Sequence, residues 1–449
     1  MSQRLRWTLW LGVCVLAGCG GGGGGGGSGS SFGGSSTSSS SGGSSASSSS
    51  SGATASNSIA VAVGPGPAAA NGGTLNIPYV SVKLCSPGTS TCATIDDVLV
   101  DTGSVGLRLM ASALAAASLS LTDTADASVP GNSIAECLPF ADGYTWGPVA
   151  LADVSMAGEL ASGVSVHIID DNGSYAATAP SSCTTVLSQS STSLNSVAAF
   201  AANGILGVGT FDQDCGSSCA QCASLTPDGC NTAQSDLYYS CNTSTNSCAF
   251  TQVAQTAQVS NPVALFATDN NGVILTLEAI PAAGQTTASG TLIFGINTQS
   301  NNALGTAFVL TADSQGNFTT TYKGQTLSAS FIDSGSNGLY FPDSTITVCP
   351  STQSNPDANE FYCPPSTLSE TAAMQGQDGL SNSVPFTVAN LNNINGSFYA
   401  SDALAGPAPS NSNLGAYFDW GLPFFYGKRV FTAIEGKVAG TATGPFYAF

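Results

Sequence analysis

Hydrophobic and polar residues alternate over short stretches along most of the chain, and Gly, Asn, Asp, Ser and Pro interrupt the alternation. Examples are IPYVSVKL, IDDVLVD, SGVSVHIID, GVILTLEA, GTLIFGI and LSASFID. Alternation with a period of two puts the apolar side chains on one face of a β-strand. Many short strands with few helices indicate a mostly β protein with a barrel-like or sandwich-like architecture. Helix is predicted only for LRLMASALAAASLSL from Leu107 and for a turn or two of PVALFAT from Pro262.

The N-terminus has the pattern of an exported protein. Arg4 and Arg6 precede the apolar residues 7–17, a run with the build of a secretory signal that is too short to span a bilayer. The run leads into Leu-Ala-Gly-Cys19, which resembles the bacterial lipobox. Residues 1–19 are therefore predicted to be a lipoprotein signal peptide, with lipid attached to Cys19 after cleavage. The alternative is an ordinary cleavable signal.

Two further features set the location expected for the mature chain. Gly20 follows the cysteine where an Asp would suggest retention at the inner membrane, so the resemblance implies the outer membrane. Residues 20–58 are almost entirely Gly and Ser. Such a segment buries nothing apolar and behaves as a flexible tether with a mean span of roughly 35 Å. No other stretch of the sequence is long and apolar enough to cross a membrane.

The charge composition excludes one class of partner. Charged residues make up 8% of the chain, and its net charge is −19. Only eight residues are Lys or Arg, and two of them leave with the signal, so too few remain for a patch that follows a nucleic-acid backbone. We therefore expect no nucleic-acid partner. The length that remains after the tether suits two lobes or domains.

Cysteine usage is typical of an oxidising compartment. Of the 14 cysteines, two fall in the signal, and the other twelve are expected to form disulfides. Cys85 with Cys92 is predicted to close a hairpin, and Cys349 with Cys363 to close a loop in the C-terminal half. A dense run lies between these pairs: Cys215, Cys219, Cys222, Cys230, Cys241 and Cys248. The Cys219-Ala-Gln-Cys222 spacing also fits a thiolate metal site, although the exported context favours disulfides.

An internal repeat carries the candidate chemistry. VLVDTGSVGL at residues 98–107 and SFIDSGSNGL at residues 330–339 share Asp, Gly, Ser, Gly and Leu in one register, and each follows an apolar strand. The copies lie too far apart for a solenoid repeat, so two similar lobes are predicted. In each copy the Gly permits a tight turn. The Asp then stands at the end of a strand, where hydroxyl and N–H groups can hold its carboxylate.

Two such loops meeting face to face would bring two carboxylates together. Because like charges so close do not both ionise easily, the pair would share one proton at acidic pH. A half-protonated pair can take a proton from water and donate one to a scissile carbonyl oxygen, without a covalent intermediate. The chemistry indicates hydrolysis that needs no metal and no cofactor.

The two loops and the segments around them resemble the pepsin-like aspartic peptidases. NGILGVG from Asn203, QVSNPVALF from Gln258, SGTLIFGINTQSN and the C-terminal WGLPFFYGKRVFTAIEGKVA are similar to elements of that family, in the same order. The resemblance implies a mostly β, bilobal fold with two β-barrel-like lobes and a cleft between them. We expect the N-terminal lobe at residues 59–300, with a Cys-rich insert at residues 211–250, and the C-terminal lobe at residues 301–449.

The same resemblance implies roles for individual residues. Asp101 and Asp333 would form the catalytic pair. Thr102 and Ser334 would interlock the two loops, and Gly103 and Gly335 would keep their turns tight. Ser104 and Ser336 would bond the outer carboxylate oxygens. Tyr144 is the candidate for the tyrosine of the hairpin flap that covers the cleft in this family, and Trp146 is its rival.

The chain departs from the family at several places. Arg108 stands where the family often has Trp, Leu422 stands where it usually has Asp, and Asp419 precedes the Trp-Gly pair of the C-terminal element. No element of the family corresponds to the Cys-rich insert. The one histidine, His167, lies in the alternation VSVHIID and is expected in a strand. One histidine is too few for a His-rich metal site. With one histidine and no GxSxG motif, a Ser-His-Asp hydrolase is also disfavoured.

Two functions from different classes remain open. The first is a lipid-anchored aspartic endopeptidase, a monomer that cleaves an extended peptide or protein held between the lobes. The second is a catalytically silent binding or inhibitory module on the cell envelope, because a fold does not determine a function. A structural surface lipoprotein without a saturable ligand is a third interpretation.

Overall fold

The computed structural model describes residues 57–70, 73–140, 143–183, 192–220, 225–226, 229–230, 237–353, 355–408 and 416–449. The predicted signal peptide with Cys19, and the tether as far as residue 56, lie outside these residues. Among the helices within the described ranges, none has the length and apolar character needed to cross a membrane.

Strands dominate the described residues, and the helices are short. The strands are β1 (Ser58–Val63), β2 (Pro78–Cys85), β3 (Cys92–Asp101), β4 (Val105–Met110), β5 (Ser133–Phe140), β6 (Gly143–Met156), β7 (Glu159–Ile169), β8 (Gly204–Val208), β9 (Leu225–Thr226), β10 (Gly229–Cys230), β11 (Tyr238–Asn242), β12 (Ser247–Phe250), β13 (Gly272–Leu277), β14 (Ala288–Phe294), β15 (Val309–Thr311), β16 (Phe318–Tyr322), β17 (Gln325–Ile332), β18 (Leu339–Tyr340), β19 (Leu368–Gln375), β20 (Ser381–Val388), β21 (Ala405–Gly406), β22 (Asp419–Trp420), β23 (Arg429–Ala433), β24 (Val438–Ala439), β25 (Ala442–Thr443) and β26 (Phe446–Ala448). The α-helices are α1 (Ala111–Ala116), α2 (Val197–Phe200) and α3 (Ser217–Ala220). Short 3-10 helices lie at Ala68–Ala70, Gln255–Ala257, Pro262–Leu265, Ser300–Asn302, Pro356–Glu360, Leu391–Asn393 and Leu422–Phe424.

Most strands belong to two sheets. The larger sheet has the order β12-β11-β5-β6-β7-β4-β8-β3-β2-β1-β14-β13-β23-β26-β15, and the smaller has the order β20-β19-β16-β17-β22-β18-β21. The larger sheet contains strands of the first half of the chain and also β23 and β26 from its C-terminal end. That sheet therefore joins the two halves of the molecule.

The two halves contain the same four-strand arrangement. In the first half, β8 lies between its parallel neighbour β3 and its antiparallel neighbour β4, and β4 also pairs in parallel with β7. In the second half, β22 lies between its parallel neighbour β17 and its antiparallel neighbour β18, and β18 pairs in parallel with β21. Each arrangement carries one Asp loop, between β3 and β4 or between β17 and β18. The predicted fold class, a mostly β, bilobal pepsin-like fold, is confirmed.

Three hydrophobic clusters surround these arrangements. The largest reaches from the first half to the second and includes both Val100 and Trp420. A second cluster, with Ile205, belongs to the first half. A third, with Phe331 and Tyr340, belongs to the second half. Each Asp loop thus leaves a strand whose two faces are both covered by apolar side chains.

The helix predicted from Leu107 is wrong over its first residues. The structure continues β4 to Met110, and only Ala111–Ala116 form α1. All of β4 is buried, and it is bonded on both edges, to β7 and to β8. A strand covered on both faces lacks polar alternation, so its apolar run cannot be told from a helix by pattern. The turn predicted from Pro262 is confirmed as a 3-10 helix.

The disulfides predicted for Cys85 with Cys92 and for Cys349 with Cys363 are confirmed. Three further disulfides lie in the described residues: Cys137–Cys183, Cys215–Cys219 and Cys241–Cys248. Cys222 lies outside those residues, and Cys219, its partner in the ligand-like spacing, is bonded to Cys215. Disulfides of this number indicate an oxidising, exported environment.

Candidate active site

Asp101 and Asp333 stand at matching positions of the two four-strand arrangements. Asp101 ends β3 and lies opposite Gly207 of β8. Asp333 follows β17, and its N–H donates to Trp420 O of β22 at 3.1 Å. Both side chains are buried, with relative exposures of 0% and 2%. In each half, a central strand therefore determines where the loop carboxyl lies.

The two loops are joined by hydrogen bonds that run in both directions. The Thr102 N–H donates to Ser334 Oγ at 3.1 Å, and the Ser334 N–H donates to Thr102 Oγ1 at 3.0 Å. Each hydroxyl then donates across to the opposite strand, Thr102 to Ile332 O at 3.3 Å and Ser334 to Val100 O at 2.8 Å. All of these groups are buried, so their bonds are protected from water and hold the loops in one relative position.

The loop glycines bring the two carboxyls together. A Cβ added at Gly103 would lie 2.5 Å from Asp333 Cγ, and one added at Gly335 would lie 2.7 Å from Asp101 Cγ. The N–H groups of Gly103 and Gly335 donate to Oδ1 of Asp101 and of Asp333, each at 2.7 Å. Each glycine thus bonds its own loop's carboxylate, while its missing side chain leaves room for the opposite one.

The two carboxyls differ in their outer hydrogen bonds. Ser336 Oγ donates to Asp333 Oδ2 at 2.8 Å. Ser104 occupies the matching position in the first loop and lowers the pKa of Asp101, but among the described residues neither Ser104 Oγ nor Asp101 Oδ2 has a hydrogen-bond partner of ordinary geometry. The outer oxygen of Asp333 is therefore bonded more closely by its own loop than that of Asp101.

Burial is the first cause of the unusual protonation of the pair. It raises the pKa of Asp101, and hydrogen bonding to Asp333, to Ser104 and to the Gly103 N–H lowers that pKa in part. Burial also raises the pKa of Asp333 well above its usual value, and the negative charge of Asp101 raises it further. Because the pKa of each carboxyl is raised, the two adjoining carboxyls retain a shared proton well above the pH at which isolated carboxyls ionise.

The raised pKa values predict how stability depends on pH. A carboxyl whose folded pKa lies above its unfolded value of about 3.9 stabilises the fold fully below that value, and this contribution is lost as pH rises through the folded pKa. We expect Asp333→Asn to gain free energy of unfolding relative to the unmodified chain as pH rises from 4 to 7. Urea unfolding at a series of pH values measures that difference.

Asp343→Asn is the matched control for this measurement. Thr345 and Lys323 lower the pKa of Asp343 to about 2 although its burial acts to raise it. The stabilisation by Asp343 is therefore present above its unfolded pKa and lost as pH falls through the folded one. Relative to the unmodified chain, this variant should gain free energy of unfolding as pH falls from about 4 to about 2, and its difference should be nearly constant between pH 4 and 7. Equal slopes for Asp333→Asn and the unmodified chain would contradict the raised pKa of Asp333.

A hairpin of β5 and β6 occupies the chain position expected for the flap. The disulfide Cys137–Cys183 ties β5 to the segment after β7, and β11 of the insert pairs along the outer edge of β5. Near the tip, the Tyr144 N–H donates to Thr192 O at 3.0 Å. The Asn195 side chain accepts from the Trp146 N–H at 2.9 Å and donates to Trp146 O at 2.8 Å. The hairpin is therefore held on several sides.

The two aromatic flap candidates share one face of this hairpin. Trp146 is buried and donates from Nε1 to Ala177 O at 3.2 Å, and Tyr144 packs against the same cluster. Leu138 and Phe140 belong instead to the cluster that contains Ile205 of β8, the strand beside the Asp101 loop. The face of the hairpin nearer that loop is therefore the one with Leu138 and Phe140. The flap role of Tyr144 stays a prediction.

A buried ion network surrounds Arg108. Its Nη2 lies 2.8 Å from both Glu136 Oε1 and Asp214 Oδ2, and all three side chains are at most 1% exposed. Tyr238 donates to Asp214 Oδ1 at 2.8 Å, and His167 Nδ1 lies 2.8 Å from Glu136 Oε2. His167 lies in β7, so its predicted strand position is confirmed. The network connects β4 with the flap-position hairpin and with the insert.

Only some of the ionisable side chains in this network are charged at neutral pH. Although burial opposes it, the charge of Arg108 holds the pKa of Glu136 far below its usual value. Burial, and then the charge of Glu136, raise the pKa of Asp214 well above its usual value, and burial lowers the pKa of His167. At neutral pH the network is therefore an Arg108–Glu136 ion pair beside a neutral acid and a neutral imidazole.

Sequence reasoning did not find Glu136 or Asp214. The signal that was present is the single Glu inside the otherwise apolar strand SIAECLPF, because a lone buried charge requires a partner. Within the described ranges, no group of three or more His, Cys, Asp and Glu side chains is arranged to hold a metal ion.

Comparisons with known proteins give the following matches. A family model described as "Protein of unknown function (DUF3443)" matches residues 53–449. Among solved structures, the chain is similar to the one titled "Crystal structure of aspartic proteinase from Irpex lacteus", with 14% sequence identity and a TM-score of 0.42. That match covers 87% of this chain and 96% of the other. None of the curated proteins matches this chain.

Proposed function

The chain belongs to the family described as "Protein of unknown function (DUF3443)", whose description names no activity, and for this member we propose an aspartic endopeptidase. The observation that carries the proposal is the meeting of Asp101 and Asp333, each against the glycine of the opposite loop and each shielded from water. Burial and mutual repulsion leave the pair with one shared proton, which is the state that hydrolysis of a peptide bond by a carboxyl pair requires.

The proposed reaction uses water as the nucleophile. The ionised carboxyl of the pair takes a proton from a bound water, and the resulting hydroxide attacks the scissile carbonyl carbon. The protonated carboxyl donates its proton to the carbonyl oxygen. The carboxyl that took the proton of the water then passes it to the scissile nitrogen, the C–N bond breaks and the amine leaves, while the other carboxyl takes a proton back from one hydroxyl of the tetrahedral intermediate, which becomes the carboxylic acid product. The chain's own residues supply every proton transfer, so no metal or cofactor takes part.

The location and substrate follow from the same proposal. We infer a monomer held at the outer membrane by lipid on Cys19, with a Gly/Ser tether at residues 20–58 and lobes at residues 59–300 and 301–449. A peptide or protein of the cell envelope would lie extended in the cleft between the lobes. The disulfides support an exported chain, because such bonds persist in oxidising compartments.

A second candidate function is a binding or inhibitory module that does not cut. The observation that favours it is the restraint of the flap-position hairpin by Cys137–Cys183, by Asn195 and by pairing with β11. Enzymes that close over a substrate need a segment that opens, and a hairpin held on several sides opens with more difficulty. Such a protein would capture a peptide without hydrolysing it.

Incubation of the full-length chain with a mixed peptide library from pH 3 to 7, beside Asp101→Asn, tests the proposal. Mass spectrometry of the products should show cleavage by the unmodified chain that falls at least roughly 10²-fold in the variant. Circular dichroism confirms that both proteins are folded. Equal cleavage by both would exclude the carboxyl-pair mechanism. Saturable peptide capture without cleavage would support the binding module instead.

A further inference from the structure

A surface groove at the end of β13 and the start of β23 combines an apolar lining with two cations. Its volume is about 620 Å³, within the range of about 300–1,000 Å³ that is typical of small-molecule sites. Residues of the two strands, of the segment 304–307 and of the C-terminal end line it. None of its described lining residues belongs to either Asp loop, so the groove is separate from the candidate active site.

Most of the lining is apolar. The apolar lining residues are Leu277, Ala279, Leu304, Ala307, Phe431 and Phe449. The Phe449 ring packs against Phe424 and Phe308, with ring centroids 5.0 Å and 6.0 Å apart. Small-molecule sites have such a lining, in which aliphatic and aromatic side chains contact the body of the ligand and a few polar groups orient it.

Lys428 and Arg429 provide the positive charge of the groove. They are two of only eight basic residues in a chain with a net charge of −19. Among the described residues, Arg108 and Lys323 form ion pairs with acids, whereas neither Lys428 nor Arg429 has a salt-bridge partner. Two neighbouring cations beside an apolar groove are therefore available to an anion.

Both cations are held in place and keep unused N–H groups. Lys428 Nζ donates to Phe424 O at 2.8 Å and lies 4.7 Å from the centre of the Phe424 ring. Arg429 Nη2 donates to Asn301 O at 2.8 Å, and its guanidinium carbon lies 5.7 Å from the centre of the Phe431 ring. An ammonium has three N–H donors and a guanidinium has five. The remaining donors can form charge-assisted hydrogen bonds to a carboxylate.

The strands beside the groove are already paired on both edges. β13 pairs with β14 and β23, and β23 pairs with β13 and β26. An extended peptide that adds to a sheet needs a free strand edge for its main-chain hydrogen bonds, and these strands offer none. A hydrocarbon chain needs no hydrogen bonds along its length. The groove therefore fits an acyl chain with an anionic head better than a peptide.

The nearby charges limit the kind of head group. Burial lowers the pKa of Lys428, and the charge of Asp402 opposes that effect. Because Asp402 offsets part of the positive charge, a singly charged carboxylate suits the two cations better than a doubly charged phosphate. The net charge of −19 also opposes contact with an anionic membrane surface, so a single molecule is favoured over a bilayer.

The groove lies beside the point where the proposed tether joins the folded body. Asn301, whose carbonyl accepts from Arg429, donates from its side chain to Asn57 Oδ1 at 2.8 Å. Asn57 is the first residue that the structure describes. The side of the body that carries the groove is thus the side from which the chain leads to the proposed lipid anchor. Amphiphiles collect at membranes because their apolar chains leave water there, which favours an amphiphile as the occupant.

We propose that this groove binds a single fatty-acid molecule, with its carboxylate on Lys428 and Arg429 and its acyl chain against Leu304, Ala307 and Phe431. The site would bind its ligand whether or not the chain hydrolyses peptides, because its described lining residues lie outside the Asp loops.

Calorimetric titration of the full-length chain with dodecanoate, dodecanol and butyrate tests the proposal. Dodecanoate should bind saturably at one site. Dodecanol lacks the charge and should bind at least roughly tenfold more weakly. Butyrate lacks the long chain and should show no saturable binding. Equal binding of dodecanoate and dodecanol would overturn the role assigned to the two cations.

Two substitutions locate the ligand in the groove. Arg429→Gln removes the charge and keeps a donor for Asn301 O, whereas Ala279→Trp places a bulky side chain in the groove and keeps both cations. Each should weaken dodecanoate binding at least roughly tenfold. Lys83→Gln is the matched control, because Lys83 is exposed on β2 and does not line the groove. Urea unfolding checks that the variants are as stable as the unmodified chain.

The remaining outcomes separate this site from other occupants and from the proposed peptidase. Asp101→Asn should bind dodecanoate like the unmodified chain, even if neither protein hydrolyses peptides. Loss of binding in Asp101→Asn, or unchanged binding in both Arg429→Gln and Ala279→Trp, would place the ligand elsewhere and overturn the proposal. Tighter binding of an apolar peptide with a free C-terminal carboxylate, or dimers that dodecanoate dissociates, would identify a peptide or a second copy as the occupant instead.

Discussion

Replacing Gly335 with Ala is expected to slow peptide hydrolysis strongly and to destabilise the chain. The new Cβ would lie 2.7 Å from Asp101 Cγ and 2.7 Å from its Oδ1, closer than side-chain atoms approach. The loop cannot retreat, because Ser334 and Thr102 bond it to the opposite loop. Overpacking of a buried site costs about 1–3 kcal/mol. A displacement of about 1 Å between reacting groups lowers the rate roughly 10²-fold.

Urea unfolding and kcat/KM measure these two effects, and Gly103→Ala should behave in the same way. There the added Cβ would lie 2.5 Å from Asp333 Cγ. Gly64→Ala is the matched control, because the nearest atom to its Cβ, Thr287 Cγ2, is 3.8 Å away. That change should alter stability by less than about 1 kcal/mol. A Gly335→Ala chain with unchanged rate and stability would show that the two carboxyls do not meet as described.

Glu136→Gln is expected to produce a large loss of stability without touching the carboxyl pair. The substitution takes the charged partner away from the fully buried Arg108 guanidinium, and Asp214, the other carboxyl within 2.8 Å, can ionise in its place only against its own burial, the first cause of its raised pKa. Removing one partner of a buried ion pair lowers the free energy of unfolding by about 3–5 kcal/mol. The loss should appear as a lower midpoint in urea at neutral pH, with an unchanged slope if the denatured state is unaffected.

Two further variants test whether the loss of stability comes from the unpaired buried charge or from altered packing. Arg108→Met combined with Glu136→Leu removes both charges and should recover much of the lost stability, since a buried pair is often replaceable by apolar residues. Glu370→Gln removes an acid from the Lys323 pair, whose lysine side chain is 41% exposed, and should cost less than about 1 kcal/mol. If Glu136→Gln costs no more than Glu370→Gln, the network does not depend on an ion pair.

The largest part of the fold could be predicted because its signals are local. The alternation in IDDVLVD and LSASFID indicates strands, and the two Asp-Thr/Ser-Gly-Ser repeats follow such strands directly. Cys85–Cys92 and Cys349–Cys363 each join cysteines that are close in sequence, so hairpin and loop closure could be inferred without a structure. Where a strand is buried on both faces, as in β4, the alternation of apolar and polar residues that indicates a strand is missing.

The sequence by itself determined a mostly β, exported chain with two Asp loops, because strand periodicity, loop chemistry and cysteine number are properties of short segments. Only the tertiary structure decided which distant residues meet. Pairing of distant strands brings separate segments of the chain together, so that Cys137 bonds Cys183, Arg108 pairs with Asp214, and Thr102 bonds Ser334. Register depends on the packing of both faces of many strands at once, and no single segment encodes it.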